Sequence, residues 1–334
     1  MEGYYLTIVH AAANHAGSKA QDDVCSILQQ KGLKSVFLDG EQSKWEKRLF
    51  SRSNLKKKLS SIEPRSNILV QYPFYMGRYT DHEIIRQVTE SFEKSILMIH
   101  DIRSLRNGLS ENDIRHEIKM FNKFKFLIIH NDSMKKWLSD HGCIANMYSL
   151  NVFDYVVPQN YVNEEKGGSY KRVFFAGNLG KSEFIYDRSI GENFEVYGIN
   201  LKKKNFKFNY RGQLSPDNLV RVLSKQKGFG LVWDGADVSR SSEYTRYNSP
   251  HKMSLYLCSG MPVIVWKNSA LAEFVEREKI GFSIENIGEI KVKLDSISTK
   301  DYNVLQFNSE ELGKKLRLGG SLGKVIDDIF QVEE

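Results

Sequence analysis

The segment Asn248-Ser249-Pro250-His251-Lys252-Met253-Ser254-Leu255-Tyr256-Leu257-Cys258-Ser259-Gly260-Met261-Pro262-Val263-Ile264-Val265 carries the strongest chemical signal in the chain. Ser249 suits an N-cap and Pro250 a first helical turn. Gly260 suits the left-handed residue that ends a helix, and an apolar strand follows. A helix beginning near Pro250 exposes unpaired N–H groups and the positive end of its dipole, which together bind anions. Lys252 adds a full charge in the first turn, where the dipole opposes it. A bound diphosphate would resolve that conflict; the competing reading is a solvated surface lysine. Asn248 and His251 flank the same turn and join the candidate nucleotide-sugar contacts.

A second signal is Phe174-Phe175-Ala176-Gly177-Asn178-Leu179-Gly180-Lys181-Ser182, a strand running into a turn with two glycines and a lysine. Gly177 lets backbone approach a ligand, and Asn178 and Lys181 offer polar groups to a phosphate. The spacing is not that of a Walker A loop, and a plain strand-to-helix turn competes with the functional reading. A third is Asn268-Ser269-Ala270-Leu271-Ala272-Glu273. Glu273, near a helix start, can accept hydrogen bonds from two vicinal hydroxyls, as on a ribose, or merely complement the dipole.

In the first half, Gly17 lies in the stretch Ala13-Asn14-His15-Ala16-Gly17-Ser18-Lys19 after the first strand, where it permits close approach to a ligand. His100-Asp101 and His130-Asn131 each end an apolar strand. A strand-end Asp or His can serve as a general base; Asp101 is the first candidate, with His100, His15 and His130 as rivals. A cap or loop hydrogen bond is the alternative role for each. The eight histidines do not cluster, and no Asp-x-Asp occurs. The pairs Asp22-Asp23 and Asp327-Asp328 fall in helical patterns. No tightly bound metal and no cofactor are therefore expected.

Short apolar runs alternating with amphipathic stretches must position these residues. Strands are expected at Tyr5–Val9, Ser35–Leu38, Asn67–Gln71, Ser95–Ile99 and Phe126–Ile129, with helices at Ala20–Gln30 and Asp81–Phe92. The alternation resumes with strands at Arg172–Ala176, Phe194–Tyr197, Phe229–Trp233 and Pro262–Trp266. Continuously apolar strands separated by helices predict an α/β chain with two Rossmann-like, doubly wound parallel sheets. Domains are expected at 1–155 and 170–308, with a linker at 156–169 and a helical tail at 309–334 that breaks near Gly319-Gly320 and packs toward the N-terminal domain. The two sheets would face a cleft, with ligands beyond the carboxyl ends of the strands.

The formal charge, 48 basic against 41 acidic side chains, is +7. That favours phosphates, anionic glycans or a membrane surface, yet also fits an ordinary basic protein. No RNA-binding signature or zinc-finger spacing occurs, which argues against nucleic acid. Cys25, Cys143 and Cys258 form no CxxC pair, as expected of a reducing cytoplasm. No apolar run approaches the ~20 residues that cross a bilayer, so any membrane contact, at the inner face, would be peripheral. Homo-oligomerisation is left open.

Over nearly its whole length the chain resembles bacterial GT-B glycosyltransferases of the β-1,6-galactofuranosyltransferase group and the related accessory glucosyl- and N-acetylglucosaminyltransferases that extend O-linked sugars on serine-rich adhesins. The carriers are Ala16-Gly17-Ser18-Lys19-Ala20 with Asp23, Ile99-His100-Asp101-Ile102 with Leu105-Arg106, Phe153-Asp154-Tyr155, Ala176-Gly177-Asn178-Leu179, Gly230-Leu231-Val232-Trp233-Asp234-Gly235, Asn248 to Tyr256, and Ser269 to Phe274. The resemblance implies a UDP-sugar donor bound by the second domain and a glycan or glycoprotein acceptor bound by the first. It makes Lys252 the diphosphate lysine, Lys181 a basic group of the facing loop, Tyr210 and Arg211 nucleotide contacts, and Glu273 the ribose glutamate. Many retaining relatives carry E-x7-E where Tyr247 and Leu255 stand here, so inversion is expected. A sugar-nucleotide epimerase or dehydrogenase would need GxGxxG after the first strand, which is absent. A catalytically inactive glycan-binding or assembly partner is the other alternative.

Overall fold

The computed structural model describes residues 2–9, 16–39, 53–162, 165–202, 205–234 and 240–332. They form two compact units, 1–150 with 322–334, and 151–321.

The first unit is built on β1 (Gly3–Val9), β2 (Lys34–Asp39), β3 (Asn67–Tyr72), β4 (Lys94–Ile99), β5 (Phe126–Ile129) and β6 (Asn146–Ser149), all parallel, in the order β2-β1-β3-β4-β5-β6. Every residue of β3 and β5 is buried, because a parallel sheet is covered on both faces. Tyr72 pairs in register with Ile99. The loops after β3 and β4 therefore emerge side by side. The order of the sheet reverses between β1 and β3, the point at which such sheets bind ligands.

The second unit holds β7 (Val173–Asn178), β8 (Phe194–Ile199), β9 (Asn209–Tyr210), β10 (Phe229–Val232), β11 (Val263–Trp266) and β12 (Gly281–Ile284), again all parallel, in the order β12-β11-β10-β7-β8-β9. Its switch point lies between β7 and β10. Alternate residues of β7 face opposite cores: Phe174 and Ala176 join one apolar cluster, Val173 and Phe175 the other. The strands β6 and β12 were not expected from the sequence. Their segments Asn-Met-Tyr-Ser and Gly-Phe-Ser-Ile lack a continuous apolar run, and each lies at a sheet edge, where half-burial suffices.

The helix His251–Cys258 is seated on this sheet by Tyr256, which is fully buried. Its hydroxyl accepts the Ala176 N–H of β7 at 2.9 Å. A Cβ at Gly230 of β10 would lie 2.1 Å from the Tyr256 ring, so only glycine leaves room for it. The helix ends in a Schellman motif: Met261 N–H reaches Tyr256 O at 2.9 Å, Gly260 N–H reaches Leu257 O at 2.8 Å, and Gly260 has φ 66°. Gly260 fills the role expected for it. Ser249 does not: the N-cap position is Pro250, which has no side-chain acceptor to offer.

The stretch 156–169, expected as a linker, is built into the second unit. Lys166 is buried there and donates to Ser224 O (2.9 Å) and Ser259 O (2.6 Å), capping the ends of two helices. Polar and glycine-rich composition does not distinguish a free linker from a coil pinned in this way. Toward the C-terminus, helix Thr299–Arg317 belongs to the second unit and starts well before the expected tail, with Ser298 as its N-cap. Gly319 (φ 73°) breaks the chain, and from Leu322 the final helix Gly320–Gln331 belongs to the first unit. No helix among the described residues is long and apolar enough to cross a membrane.

Candidate functional site

The switch point of the second sheet brings Lys252 and Gly177 together. Tyr256 fixes the helix, and Lys252, one turn earlier, is thereby brought to the end of β7. Its Nζ lies 2.9 Å from Asp234 Oδ1, just beyond β10, and 4.7 Å from the centre of the Phe175 ring. A Cβ at Gly177 would come within 3.3 Å of Lys252 Cε, so a larger residue there would press on the lysine stem. The Lys252–Asp234 pair is part-exposed, with side chains 24% and 34% accessible, and such a pair is readily exchanged for another anion. Asp234 lies in a motif quoted for the family resemblance but was not picked out as a site residue.

A pocket beside this pair is lined by Val232 of β10, Trp233 and Asp234 just after it, Val265 and Trp266 of β11, and Thr245, Pro250, Ser269 and Leu271. Asn248 Oδ1, Ser254 Oγ and Ser269 Oγ are buried without a hydrogen-bond partner. A native fold leaves few such atoms unsatisfied, and those at Asn248 and Ser269 flank the pocket in sequence or line it. His251 packs its ring against Phe153 and Tyr155, with centroids 5.7 and 5.3 Å away. Phe153-Asp154-Tyr155 also ties two passing segments together: Asp154 Oδ1 accepts Ser321 N–H at 2.9 Å, and Tyr155 N–H reaches Leu316 O at 3.2 Å.

Gly177 and Asn178 are still within β7, so the glycine turn begins later than the sequence suggested. Asn178 Oδ1 accepts from Gly180 N–H (3.0 Å) and Asn200 Nδ2 (3.1 Å), and so shapes the turn from inside. Lys181 is exposed. The Tyr210 hydroxyl donates to Gly198 O at 2.8 Å, and the Arg211 guanidinium is engaged by Glu195, Nε to Oε2 at 2.6 Å. Both therefore have structural partners that no sequence spacing revealed. Glu273 is exposed in the first turn of helix Ala272–Arg277, two residues after the pocket-lining Leu271.

In the first unit Gly17 lies in the first turn of helix Ala16–Gln30; His15 falls outside the described residues. Asp101 follows β4 and is ion-paired with Arg106. His100 Nε2 lies 2.7 Å from Gln71 Oε1, and burial pushes its pKa down to about 4, which leaves it neutral near pH 7. His130 is buried with Nε2 3.1 Å from Ile99 O, and burial, with His100 close by, pushes its pKa to about 3. Asn131 caps helix Asp132–Asp140 through the Met134 N–H. His100 and His130 are thus held as neutral groups by the fold. Asp101, the residue after His100, is instead ion-paired. Two carboxyls were missed from the sequence. Buried Glu117 accepts from the Tyr72 hydroxyl (2.6 Å) and from Arg103 and Ser104 N–H (3.0 and 2.8 Å). Buried Asp81 accepts Met76 N–H at 3.0 Å, and burial raises its pKa to about 6. Both lie on helices, where a lone acidic residue reads as a solvated face.

Among the described residues no three His, Cys, Asp or Glu side chains gather as metal ligands. The Asp-Asp pairs are tied to lysines: Asp23 to Lys19, Asp327 to Lys31 and Asp328 to Lys324.

Models of the glucosyltransferase 3-like N-terminal and C-terminal domains match residues 3–152 and 173–329, in order and over most of the chain. The chain belongs to the glucosyltransferase 3-like family of glycosyltransferases. Within that wider group it is 26% identical to the β-1,6-galactofuranosyltransferase WbbI of Escherichia coli K12 over 333 residues, 98% of either chain. It is 25% identical to glucosyltransferase 3 of Streptococcus gordonii, over 94% of either chain. The fold is shared with Anabaena HepE, solved with UDP and glucose, at a TM-score of 0.66 and 11% identity, covering 99% of this chain and 100% of that one. The family members bear out both the resemblance read from the sequence and its GT-B architecture.

Proposed function

We propose that this glycosyltransferase takes a hexose from a UDP-sugar and transfers it to a sugar hydroxyl on a glycan or glycoprotein, with inversion and without a bound metal. The observation that carries the reading is Lys252, set by the Tyr256 anchor at the switch point between β7 and β10, beside a pocket lined in part by the unsatisfied Ser269 hydroxyl. Relatives named for galactofuranosyl and glucosyl transfer, and HepE with UDP and glucose, support the donor class.

In the proposed step the acceptor oxygen bonds to the anomeric carbon as the bond to the UDP oxygen breaks. The electron pair leaves with UDP, and Asp101 takes the hydroxyl proton. Lys252 and its helix N-terminus offset the charge that grows on the leaving diphosphate, and Lys181 adds a second cation. Glu273 serves the ribose, while Tyr210 and Arg211 shape the edge of the nucleotide site. Tyr247 and Leu255, at the positions where retaining relatives carry glutamates, favour direct displacement.

The test offers UDP-galactofuranose, UDP-glucose and UDP-N-acetylglucosamine with a glycan acceptor, in excess EDTA, and follows UDP release and acceptor mass. One donor is expected to give acceptor-dependent release and a mass gain of one hexosyl or N-acetylhexosaminyl unit. Activity that vanishes in EDTA and returns with Mg²⁺ or Mn²⁺ refutes the metal-free mechanism. UDP binding without transfer from any donor favours an inactive assembly partner.

A further inference from the structure

At the switch point of the first sheet an aromatic ring is held outward. After β3 the chain runs Pro73-Phe74-Tyr75-Met76-Gly77 into helix Arg78–Ser91. Phe74 and Met76 are buried, yet Tyr75 between them is 60% exposed. Tyr75 has φ 57°. Among the described residues the other non-glycine residues with positive φ are Asn151, Asn200 and Lys279. Asparagine tolerates that region; a bulky aromatic there is a true outlier.

The surroundings hold the conformation in place. Met76 N–H is fixed by buried Asp81, and Gly77, φ 96°, completes the turn. Packing of the ring does not account for the strain, since most of the residue faces water. Such strain persists where function uses it, and here it sits beyond the strand at which the sheet reverses order. Asp101 is near: after burial, its charge is the main influence raising the phenol pKa, and Arg106 and Arg103 oppose it. Tyr79, at the start of the following helix, is 49% exposed.

We propose that Tyr75 is the stacking platform for the acceptor, with the C–H face of a sugar ring lying on the phenol ring and its hydroxyls turned toward the Asp101–Arg106 pair. The proposal rests on the transferase reading above. An aromatic face carries negative charge density and attracts the weakly positive C–H bonds of a sugar. Tyr75 acts in binding and orientation, and the proton still passes to Asp101.

The test uses the full chain with methyl glycosides of glucose, galactose and N-acetylglucosamine as probes. Glycoside binding is read by saturation-transfer-difference NMR, UDP binding by calorimetry and stability by melting. Wild type and Tyr75→Phe should bind at least one glycoside saturably. Tyr75→Ala and Tyr75→Gly should weaken that binding about tenfold, the scale of losing one aromatic contact. UDP affinity should be unchanged in all of them. Tyr75→Gly should melt no lower than wild type, because glycine adopts positive φ without strain. That combination separates a platform from a structural residue and holds even if Tyr75→Ala folds poorly. Glycoside binding that is absent in wild type, or unchanged in the Gly variant, overturns the platform, as does a lower Tm for Tyr75→Gly. Failure of wild type to bind UDP defeats the donor reading instead, and the glycoside signal still decides the platform.

Discussion

Both units place polar residues at the carboxyl ends of a parallel sheet, each with a part-exposed ion pair, and the two clusters differ in the polar groups around that pair. In the second unit Lys252 shares a part-exposed ion pair with Asp234, and three buried polar atoms nearby lack partners. In the first unit the candidate residues are engaged, His100 on Gln71, Asp101 on Arg106, and Glu117 on a hydroxyl and two N–H groups, while Ser104 Oγ is buried without a partner. A site that must receive a diphosphate gains from charge that can be redirected. A site that must orient a neutral sugar hydroxyl gains from groups fixed in advance.

The sharpest way to break this comparison is Asp101→Asn, which keeps the shape and removes the base. Transfer should fall by about 10²–10⁴-fold, the range for general-base loss, while UDP affinity is kept. Normal transfer would give the role to another residue. Lys252→Ala is the counterpart in the second unit. Its kcat/KM should drop about 10²-fold or more, and UDP binding should weaken with it. An unchanged kcat/KM would remove the diphosphate assignment.

Part-buried His100 and buried His130 extend the contrast to stability. Their folded pKa values, about 4 for His100 and about 3 for His130, lie below the ordinary value of 6.5. The unfolded chain therefore binds more protons below pH 6.5, and the stability they contribute is present above that pH and lost as pH falls toward 4. The loss amounts to about 1.4 kcal/mol per pH unit for each histidine. Denaturant melts between pH 7 and 4.5 should show it, and His100→Gln should flatten the slope. An equally steep slope in that variant would mean that other groups dominate.

Asp234→Asn gives the smallest expected effect. It frees Lys252 from its resident carboxylate, so UDP should bind about two- to fivefold more tightly, the scale of a part-exposed pair. Weaker binding would show instead that Asp234 holds Lys252 in its working position.

The helix that carries Lys252 was legible in the sequence because its signals are local: Gly260 obeys a rule of helix ends, and Lys252 stands out by opposing one. The buried strands were legible for the same reason, since burial on both faces demands continuous apolar runs such as Ile68-Leu69-Val70. A loop after β7 facing Lys252 was implied by the resemblance, but what sets Lys252 beside Gly177 was not visible. That cause is Tyr256 crossing a glycine at 230 to reach Ala176, a contact joining residues 80 apart in the chain. Arg211 and Asn178 were singled out as ligand contacts, and the partners the fold gives them, Glu195 and Asn200, could not be read from the sequence. His100 and Asp101 are neighbours of similar promise in the sequence. Only tertiary structure buries one ring against Gln71 and leaves the other side chain charged beside Arg106. Local propensity and patterning are written residue by residue, and so the buried strands, their order along the chain and the helix that carries Lys252 could be read from the chain alone. Desolvation and partner choice depend on residues brought together from far along the chain, and so only the folded sheets decided which polar groups are committed and which are left to act.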